Sequence, residues 1–272
     1  MSQIKYTALV MAANRPGIVN PIAEKTGVSH KCLAPANGIP MLQRVVDCLR
    51  RADAVGRIVV SVEDPAVVDQ VPALAALRAS GEIETVASGA NLFESVVMAS
   101  DYAGPEGHPI IFTTADNALH TPELIDYFAE EVTASGVDVA VAMTPREAVA
   151  ETYPEEAASA SYHKLRDGDF SNCNLYAITR PEAVNVAKVM KTGGQFRIKP
   201  FRVLKAFGLW ALIAYKMGWV SLADIGAGVG KRFGIKIQVI PLPFADGPID
   251  ADNLKSYALV DSLLARREGR AA

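Results

Sequence analysis

Asp116 is the side chain whose surroundings point most directly to chemistry. It follows an apolar, β-rich run at 109–114. Thr121-Pro122-Glu123, just beyond it, supplies a capping hydroxyl, a proline for a first helical position and an acid for the first turn. The run before that helix therefore ends just upstream of Asp116, and in open α/β sheets the carboxyl ends of strands are where ligands bind. A solvated loop acid is the reading this placement leaves open. The histidines His30, His108, His120 and His163 have no zinc-ligand spacing and read as loop residues. Cys32, Cys48 and Cys173 are odd in number and unrelated in spacing, which argues against a disulfide framework and a Cys-rich zinc site. Gly226-Ala227-Gly228-Val229-Gly230-Lys231 invites a phosphate-loop reading, but its spacing is wrong and Arg232 follows the lysine where a hydroxyl residue is needed. It reads as a glycine-rich turn or helix face.

These residues need a scaffold, and the sequence describes one. Apolar runs at 6–11, 57–62, 82–87, 109–114 and 137–143 alternate with helical patterns such as 41–52, 91–102 and 122–135. That alternation predicts an α/β fold with a doubly wound, mostly parallel sheet. After Pro154 a hairpin is expected, with 161–166 and 173–178 flanking Asp167-Gly168-Asp169, then a strand at 235–241 and a closing helix at 254–267. The segment 188–232 holds nine basic residues against the single acid Asp224 and reads as a basic, apolar helical insertion in one domain spanning 1–272. Half of the 272 residues are apolar, ample for a packed core, and the net charge of −3 with a pI near 5.9 gives no overall footprint for nucleic acid. The cysteine usage and an N-terminus without the parts of a signal peptide lead us to expect a cytoplasmic setting.

The first strand and loop, Ala8-Leu9-Val10-Met11-Ala12-Ala13-Asn14-Arg15-Pro16-Gly17, lead to Ser29-His30-Lys31-Cys32-Leu33-Ala34-Pro35 and Gly38-Ile39-Pro40-Met41-Leu42. This series resembles the signature of nucleotidyltransferases with a glycosyltransferase-A-like fold. Among these are molybdenum-cofactor guanylyltransferases and the cytidylyl- or uridylyltransferases of sugar and polyol phosphates. The resemblance implies that backbone N–H groups of Ala12, Ala13 and Asn14 cradle a triphosphate. Arg15 would grip its outer phosphates as a bidentate fork, and Lys31 would reach the α-phosphate or the acceptor phosphate as a point charge. Ala13 stands where the family has glycine, and His30 where proline usually precedes the lysine. Further matches run in order along the chain. Ser88-Gly89-Ala90-Asn91-Leu92-Phe93-Glu94-Ser95 is similar to the segment that contacts the base, which implies roles for Gly89, Asn91 and Ser95; a plain helix cap by Asn91 is the alternative. Thr114-Ala115-Asp116-Asn117-Ala118 occupies the place of a strand-end Gly-Asp-x-Pro whose aspartate holds magnesium, with Ala115 and Ala118 replacing the glycine and proline. Asp252 is similar to the second metal ligand of related cytidylyltransferases, with Asp250 two residues back as the fallback. Asn172 and Asn174 resemble contacts to the acceptor, the alternative being that they bridge a turn.

The reaction so implied is the transfer of a nucleoside monophosphate from an NTP to a phosphorylated small-molecule or lipid acceptor, with Mg2+ as cofactor and pyrophosphate leaving. Magnesium takes one or two carboxylates plus phosphate and water oxygens, so two separated aspartates suffice. Two other readings remain. A glycosyltransferase of related fold would normally carry an Asp-x-Asp motif, which Asp116-Asn117-Ala118 lacks, and a regulatory relative would keep the fold without turnover. In 195–220, Arg197, Lys199, Arg202, Lys205 and Lys216 frame Phe201, Phe207, Trp210 and Trp219. The stretch between Lys205 and Lys216 is too short to span a bilayer, so the segment is expected either on the inner membrane surface or packed on its own domain or a homodimer partner.

Overall fold

The computed structural model describes residues 4–14, 17, 19–190 and 213–269. Its strands are β1 (Tyr6–Met11), the short pair β2 (Pro35–Ala36) and β3 (Ile39–Pro40), then β4 (Val55–Val62), β5 (Glu84–Ala87), β6 (Ile110–Thr114), β7 (Val139–Pro145), β8 (His163–Leu165), β9 (Gly168–Ile178) and β10 (Ile237–Pro241). The main sheet runs β10-β7-β9-β6-β1-β4-β5, with β8 paired to β9. Pairings are parallel except around β9, which lies antiparallel between β6 and β7 and antiparallel to β8. The sheet is thus mixed and mostly parallel, as the alternating pattern predicted.

β1 shows why the chain layers this way. All six of its residues are buried, as a central parallel strand covered on both faces requires. Tyr6, Ala8 and Val10 meet helices Met41–Arg51 and Pro122–Ser135, which contribute Leu42, Val45, Leu124 and Phe128. Leu9 and Met11 meet the opposite layer, where helix Leu92–Ala103 brings Val96 and Ala99 and the 3-10 segment Pro181–Met190 brings Ala183 and Val186. A third cluster seats the closing helix Leu254–Arg267 through Tyr257, Val260 and Leu263 against Ile22, Met41 and Leu119. The expected hairpin forms with a shifted turn: Leu165 pairs with Gly168, leaving Arg166 and Asp167 as the turn, and the Asp167 carboxylate accepts the Leu222 backbone N–H at 3.1 Å.

Gly226–Lys231 lies on a helix face, in helix Leu222–Phe233, which opens with a capping box between Ser221 and Asp224. Two of its glycines let the helix sit against β10. A Cβ on Gly226 would come 2.7 Å from the Ile237 carbonyl oxygen, and one on Gly230 2.5 Å from that of Ile235. At Gly228 a Cβ would meet nothing within 4 Å. Gly226→Ala and Gly230→Ala should therefore each cost about 1–3 kcal/mol by overpacking, whereas Gly228→Ala should stabilise by about 0.5–1 kcal/mol through helix propensity. Urea unfolding of the three variants checks this; equal effects would contradict the packing.

Candidate active site

Three short segments converge above the carboxyl ends of β1 and β6. The loop after β1 is pinned by Ala12, whose N–H donates to the Ser61 carbonyl at 2.9 Å, and by Asn14, whose Nδ2 donates to the Ser29 carbonyl at 3.2 Å. His30 bridges Ser29 Oγ at 2.9 Å and Glu63 Oε1 at 3.0 Å, so the residue in the usual proline position is fixed by hydrogen bonds instead of by a ring. Lys31 follows at the start of a 3-10 turn, Lys31–Leu33. The loop after β6 presents Asp116, buried at 7 % exposure, with Thr114 donating to its Oδ1. The loop before the closing helix presents Asp250 and Asp252, while the alternating Ile249 and Ala251 are buried in the third core cluster. That alternation holds both acids on the cavity side.

The groups meet closely. Lys31 Nζ donates to Asp116 Oδ2, stands 3.9 Å from Asp252 Oδ1 and 3.4 Å from the Ala251 carbonyl. One carboxylate oxygen from each of Asp116, Asp250 and Asp252 lies within 4.8 Å of the other two. Burial disfavours both charges of the Lys31–Asp116 pair, but their mutual attraction outweighs it, holding the lysine above and the aspartate below its usual range. Asp250 goes the other way: burial, then the negative charges of Asp116 and Asp252, push its carboxyl up to about 7. Asn174 Nδ2 donates to Asp250 Oδ2 at 2.7 Å, and Asn172 Nδ2 donates to Asn174 Oδ1 at 3.1 Å and Tyr176 Oη at 2.8 Å. Asn174 adopts a left-handed φ of 49°, a sparsely populated conformation for a side-chain-bearing residue and common near functional sites. Three hard oxygen donors in one cluster suit a divalent cation.

One cavity of about 840 Å³ is lined by Ala12, Ala13, Asn14, Lys31, Gly89, Asn91, Ser95, Asp116, Asn172, Asn174, Asp250 and Asp252. The residues named from the sequence line one space, save for Arg15, which lies outside the described residues, as does 191–212 of the expected basic segment; the N–H groups of Ala12 and Asn14, expected at a triphosphate, donate instead to the Ser61 carbonyl and to Glu63 Oε1. Asn91 both caps its helix, accepting from the Glu94 N–H at 3.1 Å, and lines the cavity. Gly89 has no room for a Cβ, which would fall 2.4 Å from that of Glu94. Both asparagines lie within β9, and Asn172 Oδ1 also accepts the Asn174 backbone N–H at 3.3 Å, so the turn-like bridge two residues on forms there as well. Sequence spacing did not single out Thr114, which orients Asp116, nor His120, fully buried and hydrogen-bonded through Nε2 to the Gly247 carbonyl at 3.1 Å. That bond ties the Asp116 loop to the one carrying Asp250. A buried histidine between two loops has no sequence period to betray it.

This mixed sheet, with β9 reversed beside the carboxylate cluster, is the nucleotide-diphospho-sugar transferase fold, and a fold alone does not fix the reaction. Residues 22–185 match the MobA-like NTP transferase domain, and the chain belongs to that family. It is 31% identical over 264 residues to a 2-C-methyl-D-erythritol 4-phosphate cytidylyltransferase of Frankia casuarinae, covering 95% of this chain and 84% of that one. A hypothetical transferase from Thermus thermophilus superposes with a TM-score of 0.75 at 23% identity, over 93% of this chain and 100% of that one. The 4-diphosphocytidyl-2C-methyl-D-erythritol synthase of Anaerococcus prevotii superposes with a TM-score of 0.57 at 11% identity, over 97% of each. At those identities the two structures speak for the fold.

Proposed function

We propose that this enzyme is a cytoplasmic cytidylyltransferase that uses Mg2+ and passes the CMP group of CTP to a phosphorylated acceptor. The observation that carries the reading is the convergence of three carboxylates and Lys31 in one cavity with the 12–14 and 89–95 loops. The cytidylyltransferase relative supports CTP as the donor. An acceptor phosphate oxygen attacks the α-phosphorus, a new P–O bond forms, and the bond to the β-phosphate breaks with its electron pair leaving on pyrophosphate. The acceptor phosphate is already ionised near neutral pH, so no general base is required. Asp116 and Asp252, with Asp250 beside them, would hold the metal, which supplies charge neutralisation at the phosphates. Arg15 and Lys31 would add to that neutralisation, Lys31 turning from Asp116 to a phosphate oxygen. Gly89, Asn91 and Ser95 would border the base, and Asn172 and Asn174 the acceptor. Charge control and positioning are the main catalytic tasks in such a transfer.

Pyrophosphate release, followed with each NTP in turn and with EDTA added, tests this reading; turnover that survives chelation, or none with CTP, would contradict it. Asp252→Ala should be nearly as damaging as loss of Asp116, and Asp250→Ala milder. Steady-state kinetics of both variants measure the ranking, and the reverse order would move the second ligand two residues back.

The basic aromatic segment 195–220 supports one further element, contact with an anionic membrane surface; no helix among the described residues is long and apolar enough to cross a membrane. Co-flotation with anionic vesicles at low salt is expected. Protein left in the soluble fraction would assign the segment to packing on its own domain or on a second copy.

A further inference from the structure

β9 changes character along its length. Cys173, Leu175 and Ala177 are fully buried in the first core cluster, so Asn172, Asn174, Tyr176 and Ile178 form the opposite face, and all four line the cavity. Because β9 runs antiparallel to β6, its first half lies beside Asp116 and its end lies away from it. Moving from the carboxylates, the cavity floor therefore passes from the two asparagines to Tyr176, stacked on Phe112 at 4.7 Å, and then to Ile178. Val141 of β7 and Ile237 and Val239 of β10 continue that floor, and Ile225 and Val229 of helix Leu222–Phe233 face it.

Among the described residues, the polar side chains that line this end are Asp224, His163 and Tyr215. Asp224 is held in the capping box and 3.3 Å from Arg166, and His163 is hydrogen-bonded to Tyr215. Gly228 also lines this end. It is a mid-helix glycine with no close neighbour among the described residues, in contrast to Gly226 and Gly230, which are needed for packing. A missing side chain there leaves the helix backbone open to close approach by a ligand.

We propose that the acceptor is a phosphate monoester of an apolar alcohol, its phosphate near Asn174 and the carboxylates and its hydrocarbon chain on the Ile178–Val229 end of the cavity. The proposal rests on the nucleotidyl-transfer reading above. Among the described residues the Ile178–Val229 end offers a sugar or polyol few side-chain hydrogen-bond partners in exchange for its hydration, whereas a hydrocarbon gains by burial. The step balances as before: the monoester oxygen bonds to the α-phosphorus, pyrophosphate departs, and the product is a cytidine diphosphate ester of the alcohol.

The test uses the full chain with magnesium, CTP and a series of butyl, octyl and dodecyl monophosphates, with glycerol 3-phosphate and 2-C-methyl-D-erythritol 4-phosphate as polar acceptors. Binding of magnesium and CTP is measured separately by thermal shift. The expected result is a kcat/KM that climbs with chain length, approaching about fourfold for each methylene buried, and exceeds that of both polar phosphates. Val229→Asn should flatten the climb and Val229→Ile should keep it. Pyrophosphate release with the polar phosphates and no gain with chain length would overturn the proposal and leave the transferase reading standing. Binding of CTP without pyrophosphate from any alkyl phosphate would likewise overturn it. No CTP binding and no pyrophosphate from any acceptor would remove the transferase reading and the proposal together.

Discussion

Replacing Asp116 by alanine should reduce kcat by about a thousandfold or more while the protein stays folded. The residue sits in a loop at the end of β6, and its carboxylate is held by Lys31 and Thr114. Its removal takes away the most buried of the three clustered carboxylates and leaves Lys31 with Asp252 at 3.9 Å and the Ala251 carbonyl. Asp116→Asn separates charge from shape. It keeps an oxygen for the Thr114 hydroxyl, yet should be nearly as inactive as the alanine variant, because the metal and the lysine need the negative charge. Circular dichroism together with pyrophosphate release measures both halves of the expectation. Normal turnover in either variant would remove Asp116 from the metal site.

Lys31→Ala should act chiefly on nucleotide use. A charge-assisted contact to a phosphate is worth roughly 1.5–3 kcal/mol, so the apparent affinity for CTP should fall by about ten- to a hundredfold. In the structure this lysine neutralises the carboxylate cluster, so the substitution also leaves Asp116 buried beside two other acids. Lys31→Arg keeps the charge with a broader, planar head and should restore less than half of the lost affinity. Titration of CTP in the presence of magnesium reads all three proteins. Unchanged affinity in Lys31→Ala would separate the Lys31 loop from the phosphates.

The three acids behaved differently as sequence signals. Asp116 was legible because a strand pattern, a helix cap and the turn between them bracket it within a dozen residues, all short-range features. Asp250 and Asp252 were visible as acids, but their approach to Asp116 across the molecule is set by Ile249, Ala251 and the closing helix packing into the third core cluster. No local period encodes that. β1, helix Pro122–Ser135 and helix Leu254–Arg267 fell on their expected boundaries because continuous burial or a clear cap marks each end. The insertion of β9 between β6 and β7 was not legible, since strand order depends on pairing partners remote in sequence. Gly226–Lys231 read as a turn or a helix face, and the helix face is what forms: Gly226 and Gly230, glycines that weaken a helix locally, let it seat closely beside β10.

The most direct measurement of the central claim is a phosphorus NMR time course of the purified enzyme with magnesium, CTP and the acceptor phosphates described above. Each CTP consumed is expected to yield one pyrophosphate and one new product whose two phosphorus atoms are coupled through a P–O–P linkage, and Asp116→Ala is expected to yield neither. Release of orthophosphate without pyrophosphate, or CTP left intact with every acceptor, would contradict that claim.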